Sequence, residues 1–308
     1  MSHRHLRVIA LGVIGVACAT NQRPIISPVQ MAELWELPTD LERRDLLRGP
    51  VGSGGALNPD EEFEFKDIKE SGTQPGYDVK DSKGREWSVK LGQEARTEVV
   101  MSRLVWALGY HQPSVYYLPR WTLVRDGKKT VHPKSRFRLE DAKKVSEWSW
   151  RMNPFFDTQP LAGLYVLMVM VNNWDLKSQQ NAVYEVKESE PGPRIQYVVK
   201  DLGASLGRSA WPVQGTKDDP EGFEKEPFIE EVVGNRVRFG YQGAWLEPQL
   251  VNSATPHDVR WISGLLSRLT PKQWSDAFRA GGFSEAEADR YIRRLREKID
   301  EGLRVGAF

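Results

Sequence analysis

The chain has 308 residues, 40% of them hydrophobic and 28% charged, the proportions of a folded protein rather than a disordered one. Its 43 Lys and Arg nearly balance its 42 Asp and Glu, leaving a net charge of +1, without the basic excess that a dedicated nucleic-acid binder needs. The length admits one large domain or two packed lobes.

At the N-terminus, Arg4 and Arg7 precede an apolar run from Val8 to Ala19, too short to span a bilayer comfortably. With Ala17-Cys18-Ala19 as a small-x-small cleavage site, residues 1–19 read as a secretory signal peptide. The expected location is therefore extracytoplasmic: periplasmic, secreted or lipid-anchored. Cys18 sits where a bacterial lipoprotein carries its lipid, although Gly15 replaces the usual Leu three residues before it. A lipid there is the one membrane attachment expected, and a fraying helix or a signal anchor is the competing reading. Cys18 is the only cysteine, so the rest of the chain relies on its core rather than on a disulfide.

Residues 20–59 read as an irregular extension. "QMAELWELPTDLERRDL" suits short helices, and "RGPVGSGGALNPD" reads as a linker. Its glycines lack the Gly-Lys-Ser/Thr ending of a phosphate loop. From Glu61 the pattern alternates. "FEFKDIKES", "YDVKD" and "REWSVKLG" predict three antiparallel strands, with "GTQPG" and "SKG" as turns. "EARTEVVMSRLVWALGY" has helical spacing, and Gly109 is a C-cap candidate. "PSVYYLPRWTLVRDGKKTVHP" predicts more strands, turning at Asp126-Gly127. The second half reads as mostly helical. "SEWSW" and "LAGLYVLMVMV" bracket a Pro-containing loop, and "NAVYEV" and "RIQYVVKDLG" form a hairpin. Three capped helices follow a polar stretch, with signals at Asp258, at Thr270-Pro271, and at Ser284 with Glu287.

Three features carry chemistry through their order. Lys90 ends a strand and is followed by a helix holding Glu94 and Glu98. The apolar run Leu164 to Val171 then stops at "NNWDLKSQQN", with Asp175, Lys177 and Asn181. Finally a strand runs into Asp201-Leu202-Gly203. Each alone is commonplace: a surface lysine, a helix-face carboxylate, a turn aspartate. In sequence they are the part list of a kinase-like phosphotransferase. In that reading Lys90 contacts the phosphates of a nucleotide, and Glu98, one turn further in than Glu94, holds the lysine. Asp175 orients or deprotonates an acceptor hydroxyl, Lys177 touches the transferred phosphate, and Asn181 and Asp201 offer oxygens to Mg²⁺. The turn holding Ser71, Gly72 and Gly76 lies over the phosphates, where small residues allow close approach. Asn172 and Asn173 are expected to brace the loop.

On "SVKLG" at 88–92, "TEVVMSRLVWALGYHQPSV" at 97–115, "NNWDLKSQQN" at 172–181 and "VVKDLG" at 198–203, the chain resembles the atypical branches of the protein-kinase-like superfamily: HipA-like kinases, phosphoinositide kinases, and secreted kinases of the CotH and casein-kinase type. The resemblance implies an α+β, two-lobed fold. A small antiparallel-sheet lobe with one helix spans 60–135, and a larger helical lobe spans 136–308. It implies ATP with Mg²⁺ or Mn²⁺ as cofactors and a protein, sugar or small-molecule hydroxyl as acceptor. The chain departs from ordinary protein kinases in four ways. Asn173 and Trp174 replace the His-Arg before the catalytic Asp. Five residues, not four, separate Asp175 from Asn181, which makes Gln180 a substitute metal ligand. Leu202 replaces Phe, and no full glycine-rich loop is present. An inactive pseudokinase serving as a binding or scaffold module is the alternative function, and nucleotidyl transfer is a third.

Overall fold

The computed structural model describes residues 26–69, 76–187, 192–209, 215–243, 250 and 253–306. The expected signal peptide, Cys18, and Ser71 and Gly72 of the expected phosphate-covering turn lie outside the described residues. The fold is α+β.

Alternation along the first strands decides how they close. In a strand, successive side chains point to opposite faces. Phe63, Val79, Trp87, Val89, Trp121, Leu123 and Phe137 therefore gather on one side as a buried cluster. The strands are β1 (Glu62–Lys69), β2 (Gly76–Lys80), β3 (Glu86–Leu91), β4 (Val115–Arg125) and β5 (Lys128–Leu139). They wrap that cluster as a closed barrel in the order β1-β2-β3-β5-β4. All pairs are antiparallel except the closing one, where β1 runs parallel to β4 from Glu62↔Thr122 to Glu64↔Val124. Closure leaves no open edge on this sheet. The sequence reading of a plain antiparallel sheet lacked this parallel seam, because nothing local in β1 or β4 records the pairing. Two indoles inside are satisfied: Trp87 Nε1 donates to Asp81 Oδ2 at 2.9 Å and Trp121 Nε1 to Ser135 Oγ at 2.9 Å.

Helices α1 (Pro28–Ala32) and α2 (Gly52–Gly55) are short, and α2 falls in the glycine-rich stretch expected to be a linker. The lead-in is nevertheless part of the main core. Leu34, Leu41 and Leu46 are fully buried there, and Trp35 Nε1 donates to Leu108 O at 2.8 Å. Helix α3 (Glu94–Ala107) is buried on almost every face. Its end is set by Gly109, whose φ of +96° and 2.1 Å approach of a would-be Cβ to Glu36 O leave room for glycine only.

Helix α4 (Gln159–Met170) starts at Thr158, whose side chain accepts from Leu161 N, and runs apolar to Met170. The predicted hairpin is present as β7 (Asn181–Glu185) and β8 (Ile195–Val199), pairing Asn181↔Val199. The "SEWSW" region is not helical: β6 (Lys143–Glu147) joins β7 as an exposed edge strand, and the buried Trp148 and Trp150 flank Ser149 in a period of two. Beyond α5 (Pro220–Lys225), an unforeseen hairpin of β9 (Ile229–Val233) and β10 (Arg236–Phe239) turns at Gly234, where φ is +59°. Three capping boxes then start α6 (Pro256–Ser267), α7 (Pro271–Ala280) and α8 (Glu285–Arg304), at Thr255/Asp258, Thr270/Gln273 and Ser284/Glu287.

Candidate functional site

The alternation that buries Trp87 and Val89 turns Ser88 and Lys90 to the opposite face of β3. The register carries this across to β5, where Ser88 pairs with Arg138 and Lys90 with Arg136 while Phe137 points inward. On the other side Gly76 of β2 pairs with Lys90. A Cβ at Gly76 would approach Val89 O to 2.7 Å, so glycine keeps the wall beside the lysine open. These residues line a cavity of about 330 Å³, which Asp175, Lys177, Gln180, Lys200 and Asp201 border from the other side.

The chain turns sharply at Gly92, φ +104°, and α3 begins at once. The first helical carboxylate therefore reaches back to the strand. Lys90 Nζ lies 2.5 Å from Glu94 Oε2, 3.2 Å from Asp201 Oδ1 and 3.8 Å from Glu98 Oε2. Glu98, the residue favoured from sequence, gives its shorter contact to Arg136, whose Nε is 2.9 Å from Glu98 Oε1. Glu94 is thus the lysine's nearer partner, and a second lysine, Lys217, also bonds its carboxylate. Burial opposes the charge on Lys90, but the carboxylates of Glu98, Asp201 and Glu94 outweigh it and raise the ammonium's pKa well above the ordinary value. Burial likewise works against ionisation of Asp201, and Lys90, then Arg136 and Lys200, outweigh it and hold that carboxyl below the usual range.

Asp201 adopts left-handed backbone, φ +51°, a conformation a non-glycine residue keeps only when its surroundings fix it. The surroundings are visible. Leu202 is buried, Thr97 Oγ1 donates to Gly203 O at 2.8 Å, and a Cβ on Gly203 would sit 2.6 Å from Glu94 Cβ. The Asp-Leu-Gly turn is therefore clamped onto the first turn of α3, which also carries Glu94.

The loop after α4 is held from behind. Asn172, φ +55°, donates through Nδ2 to Gly207 O at 2.8 Å, and Lys298 Nζ donates to Asn172 Oδ1 at 2.9 Å and to Met170 O at 3.0 Å. Asn173 Oδ1 accepts from Asp175 N at 3.1 Å, and Tyr241 Oη donates to Asn173 O. The two asparagines do brace the loop. Asp175 is half-buried at the cavity, with Lys177 Nζ 2.9 Å from its Oδ1 and Gln180 Nε2 donating to its Oδ2 at 2.8 Å.

Asn181 stands apart from this group. It is the first residue of β7, 1% exposed, and does not line the cavity, whereas Gln180 does. The extra residue after Asp175 and the short 3-10 turn Ser178–Gln180 bring the glutamine to the wall and carry the asparagine into the sheet. Among the described residues no three His, Cys, Asp or Glu side chains gather as a metal-binding group. Sequence reasoning did not single out Arg136, Arg138, Lys200 or Lys217. The alternation around Phe137 was a signal for the two arginines, but only the β3–β5 register shows which face they take. Burial, then Arg138, pushes the Lys200 ammonium down to about 8.

No protein-family model matches the chain, and no curated protein is similar to it in sequence. The chain is similar in structure to kinases. The Helicobacter pylori proinflammatory kinase CtkA is 12% identical, with 79% of this chain and 96% of that one covered and a TM-score of 0.46. The Golgi casein kinase is 10% identical, with 80% and 74% covered and a TM-score of 0.41. Its structure with Mn/ADP bound gives 10% identity, 80% and 73% covered, and a TM-score of 0.40. These likenesses are distant, and what the site can do follows from its own residues.

Proposed function

We propose that the protein is an ATP-dependent phosphotransferase of two-lobed kinase-like build, acting on a hydroxyl of a protein, sugar or small molecule. In this reading the barrel with α3 is the smaller lobe and the helical remainder the larger. The observation that supports it most is the meeting of Lys90 and Asp201, 111 positions apart in sequence, in one cavity that Asp175 also borders.

The chemistry follows from charge. A nucleoside triphosphate needs a fixed cation beside its phosphates, and Lys90, kept protonated by three carboxylates, supplies one. Mg²⁺ keeps several waters and needs only one or two protein oxygens beside phosphates. The carboxylate of Asp201 and the amide oxygen of Gln180 at the same cavity fit that requirement, so the lack of a larger acidic cluster is no obstacle. Such an ion would offset charge on the transferring group. Asp175 receives the proton of the acceptor hydroxyl as its oxygen attacks the γ-phosphorus. The bond from that phosphorus to the β–γ bridging oxygen breaks, and its electron pair leaves with the nucleoside diphosphate. Lys177 keeps Asp175 oriented and places a second ammonium beside the reacting phosphoryl group. The Arg4, Arg7 and Val8 to Ala19 pattern further supports action outside the cytoplasm, which N-terminal sequencing of the exported protein tests.

Purified protein should show Mg- or Mn-dependent stabilisation by ATP, roughly 2.7 kcal/mol at a hundredfold excess over the dissociation constant. It should also move label from γ-labelled ATP to an acceptor pool. Asp175→Ala should lower transfer by about 100-fold or more while retaining the nucleotide shift. Asp201→Ala should lose both. Stabilisation without transfer indicates the inactive binding module, label moving only from the α-position indicates nucleotidyl transfer, and no shift with any Mg- or Mn-nucleotide overturns the proposal.

A further inference from the structure

Among the described residues the cations on the wall of the Lys90 cavity make ion pairs, with one exception that Asp201 and Glu140 attract only from beyond contact distance. Lys90 meets Glu94 and Asp201, at 2.5 and 3.2 Å. Arg136 meets Glu98 at 2.9 Å, and Lys69 meets Asp78 at 3.1 Å. Lys177 meets Asp175 at 2.9 Å. Arg138 places Nε at 3.0 Å and Nη2 at 2.9 Å from Glu140 Oε1. Lys200, the residue before Asp201, lines the same cavity and makes no ion pair or hydrogen bond among the described residues.

Its place makes this more than a loose surface lysine. Lys200 and Arg138 also border a smaller adjoining cavity together with Glu98 and Gln112, so the two cations share the seam between the two spaces. Arg138 is buried and Lys200 half-buried. Two like charges drawn together out of bulk water repel, and the repulsion is relieved when an anion enters between them. Lys90, ringed by carboxylates, offers a bare phosphate much less net attraction than its position alone suggests.

We propose that Lys200, with Arg138, forms a second anion subsite in the cleft that takes a phosphoryl group of the nucleotide. The subsite rests on the nucleotide reading above for the source of that group, and it adds to Lys90 and Lys177 a further phosphate contact at Lys200, which directly follows β8 and precedes Asp201. Phosphate oxygens accept from an ammonium as a point charge and from the guanidinium N–H groups that Glu140 does not take, so the pair suits a tetrahedral, multiply charged group better than a nucleobase edge.

Titration calorimetry on the full chain with Mg-ATP, Mg-tripolyphosphate, inorganic phosphate and adenosine tests this. Lys200→Met is expected to weaken ATP and tripolyphosphate by about tenfold or more, the scale of one lost hydrogen bond to a charged group. It should leave adenosine unchanged, and Lys200→Arg should restore most of the loss. Because Lys200 makes no ion pair or hydrogen bond among the described residues, the ligand-free melting temperature of Lys200→Met should equal or exceed that of wild type, a result that a folding defect does not produce. Loss of inorganic phosphate binding in Lys200→Met with ATP unaffected overturns the nucleotide assignment and makes a free anion the ligand of Lys200. If the wild type binds ATP, and Lys200→Met binds ATP, tripolyphosphate and phosphate as the wild type does, the subsite is overturned while the phosphotransferase reading stands. If the wild type binds phosphate through Lys200 but no nucleotide, the reverse holds.

Discussion

Lys298 is fully buried, and its ammonium meets two neutral oxygens, Met170 O and Asn172 Oδ1, with no carboxylate in an ion pair among the described residues. It also lies over the Phe223 ring, 4.4 Å from the centroid. Met170 is the last residue of α4, so the cation sits at the negative end of that helix, where it is favoured. Burial, then the neighbouring Arg294, pushes its pKa down to about 7, with Glu226 and Glu301 acting in the other direction. The folded value is below the unfolded one, so the unfolded chain binds more protons between about pH 7 and the ordinary lysine range. This group's contribution to stability therefore rises with pH across that window, and its cost is full below it. Lys298→Met leaves both oxygens unpaired and should lower stability by about 1–3 kcal/mol at about pH 9. The deficit should narrow toward about pH 6, where the wild type must bury the charge; denaturant melts at both pH values check it. The two asparagines ahead of Asp175 were legible as braces, because a polar pair ending an apolar helix has to bond something. Lys298 was not legible, since a lysine on an amphipathic C-terminal helix ordinarily faces water.

The Asp-Leu-Gly turn and the start of α3 act as one element. Gly203 touches Glu94, Thr97 bonds Gly203, and Glu94 and Asp201 share Lys90. A shift of either piece moves both carboxylates off the lysine. Gly203→Ala puts a Cβ 2.6 Å from Glu94 Cβ and should cost about 1–3 kcal/mol through overpacking, with weaker Mg-ATP binding by calorimetry. Gly264→Ala in α6, where nothing lies within 4 Å of the new carbon, should leave binding unchanged and raise stability by about 0.5–1 kcal/mol. At this scale the sequence was most readable. The α3 spacing, the capped C-terminal helices and the β7–β8 hairpin are written in contiguous residues. The strand β6, which runs into "SEWSW", is not legible in the sequence because an edge strand is held by its neighbour: β6 is exposed along its length and exists by pairing with β7. The sequence favours Glu98, and the structure sets both Glu94 and Glu98 within 4 Å of Lys90 with Glu94 the nearer. Helical phase puts both on one face, and only the turn at Gly92 decides which is nearer to Lys90.

For the molecule as a whole, the N-terminal lead-in binds the parts together. Besides burying Leu34, Leu41 and Leu46, it receives two hydrogen bonds from Gln273 Nε2, to Leu41 O at 2.7 Å and to Arg44 O at 3.0 Å, and Arg44 donates to Trp106 O at the end of α3. Leu41→Ala should therefore cost about 2–5 kcal/mol, the loss of a fully buried leucine, read as a lowered denaturation midpoint. An irregular extension outside the core, the expectation from sequence, predicts almost no change. By itself the sequence determined what contiguous residues encode: the periods of strands and helices, their caps, and the order of Lys90, the α3 carboxylates, Asp175 and Asp201. The tertiary structure alone decided the parallel β1–β4 seam that closes the barrel, the placing of Arg136 and Arg138 beside Lys90 and Ser88, the turning of Gln180 rather than Asn181 to the cavity, and the placing of the Lys200 ammonium on the cavity wall. Each of these depends on register or contact between segments distant along the chain, and the free energy that fixes it comes from shared burial and paired charge, which no local window of residues contains.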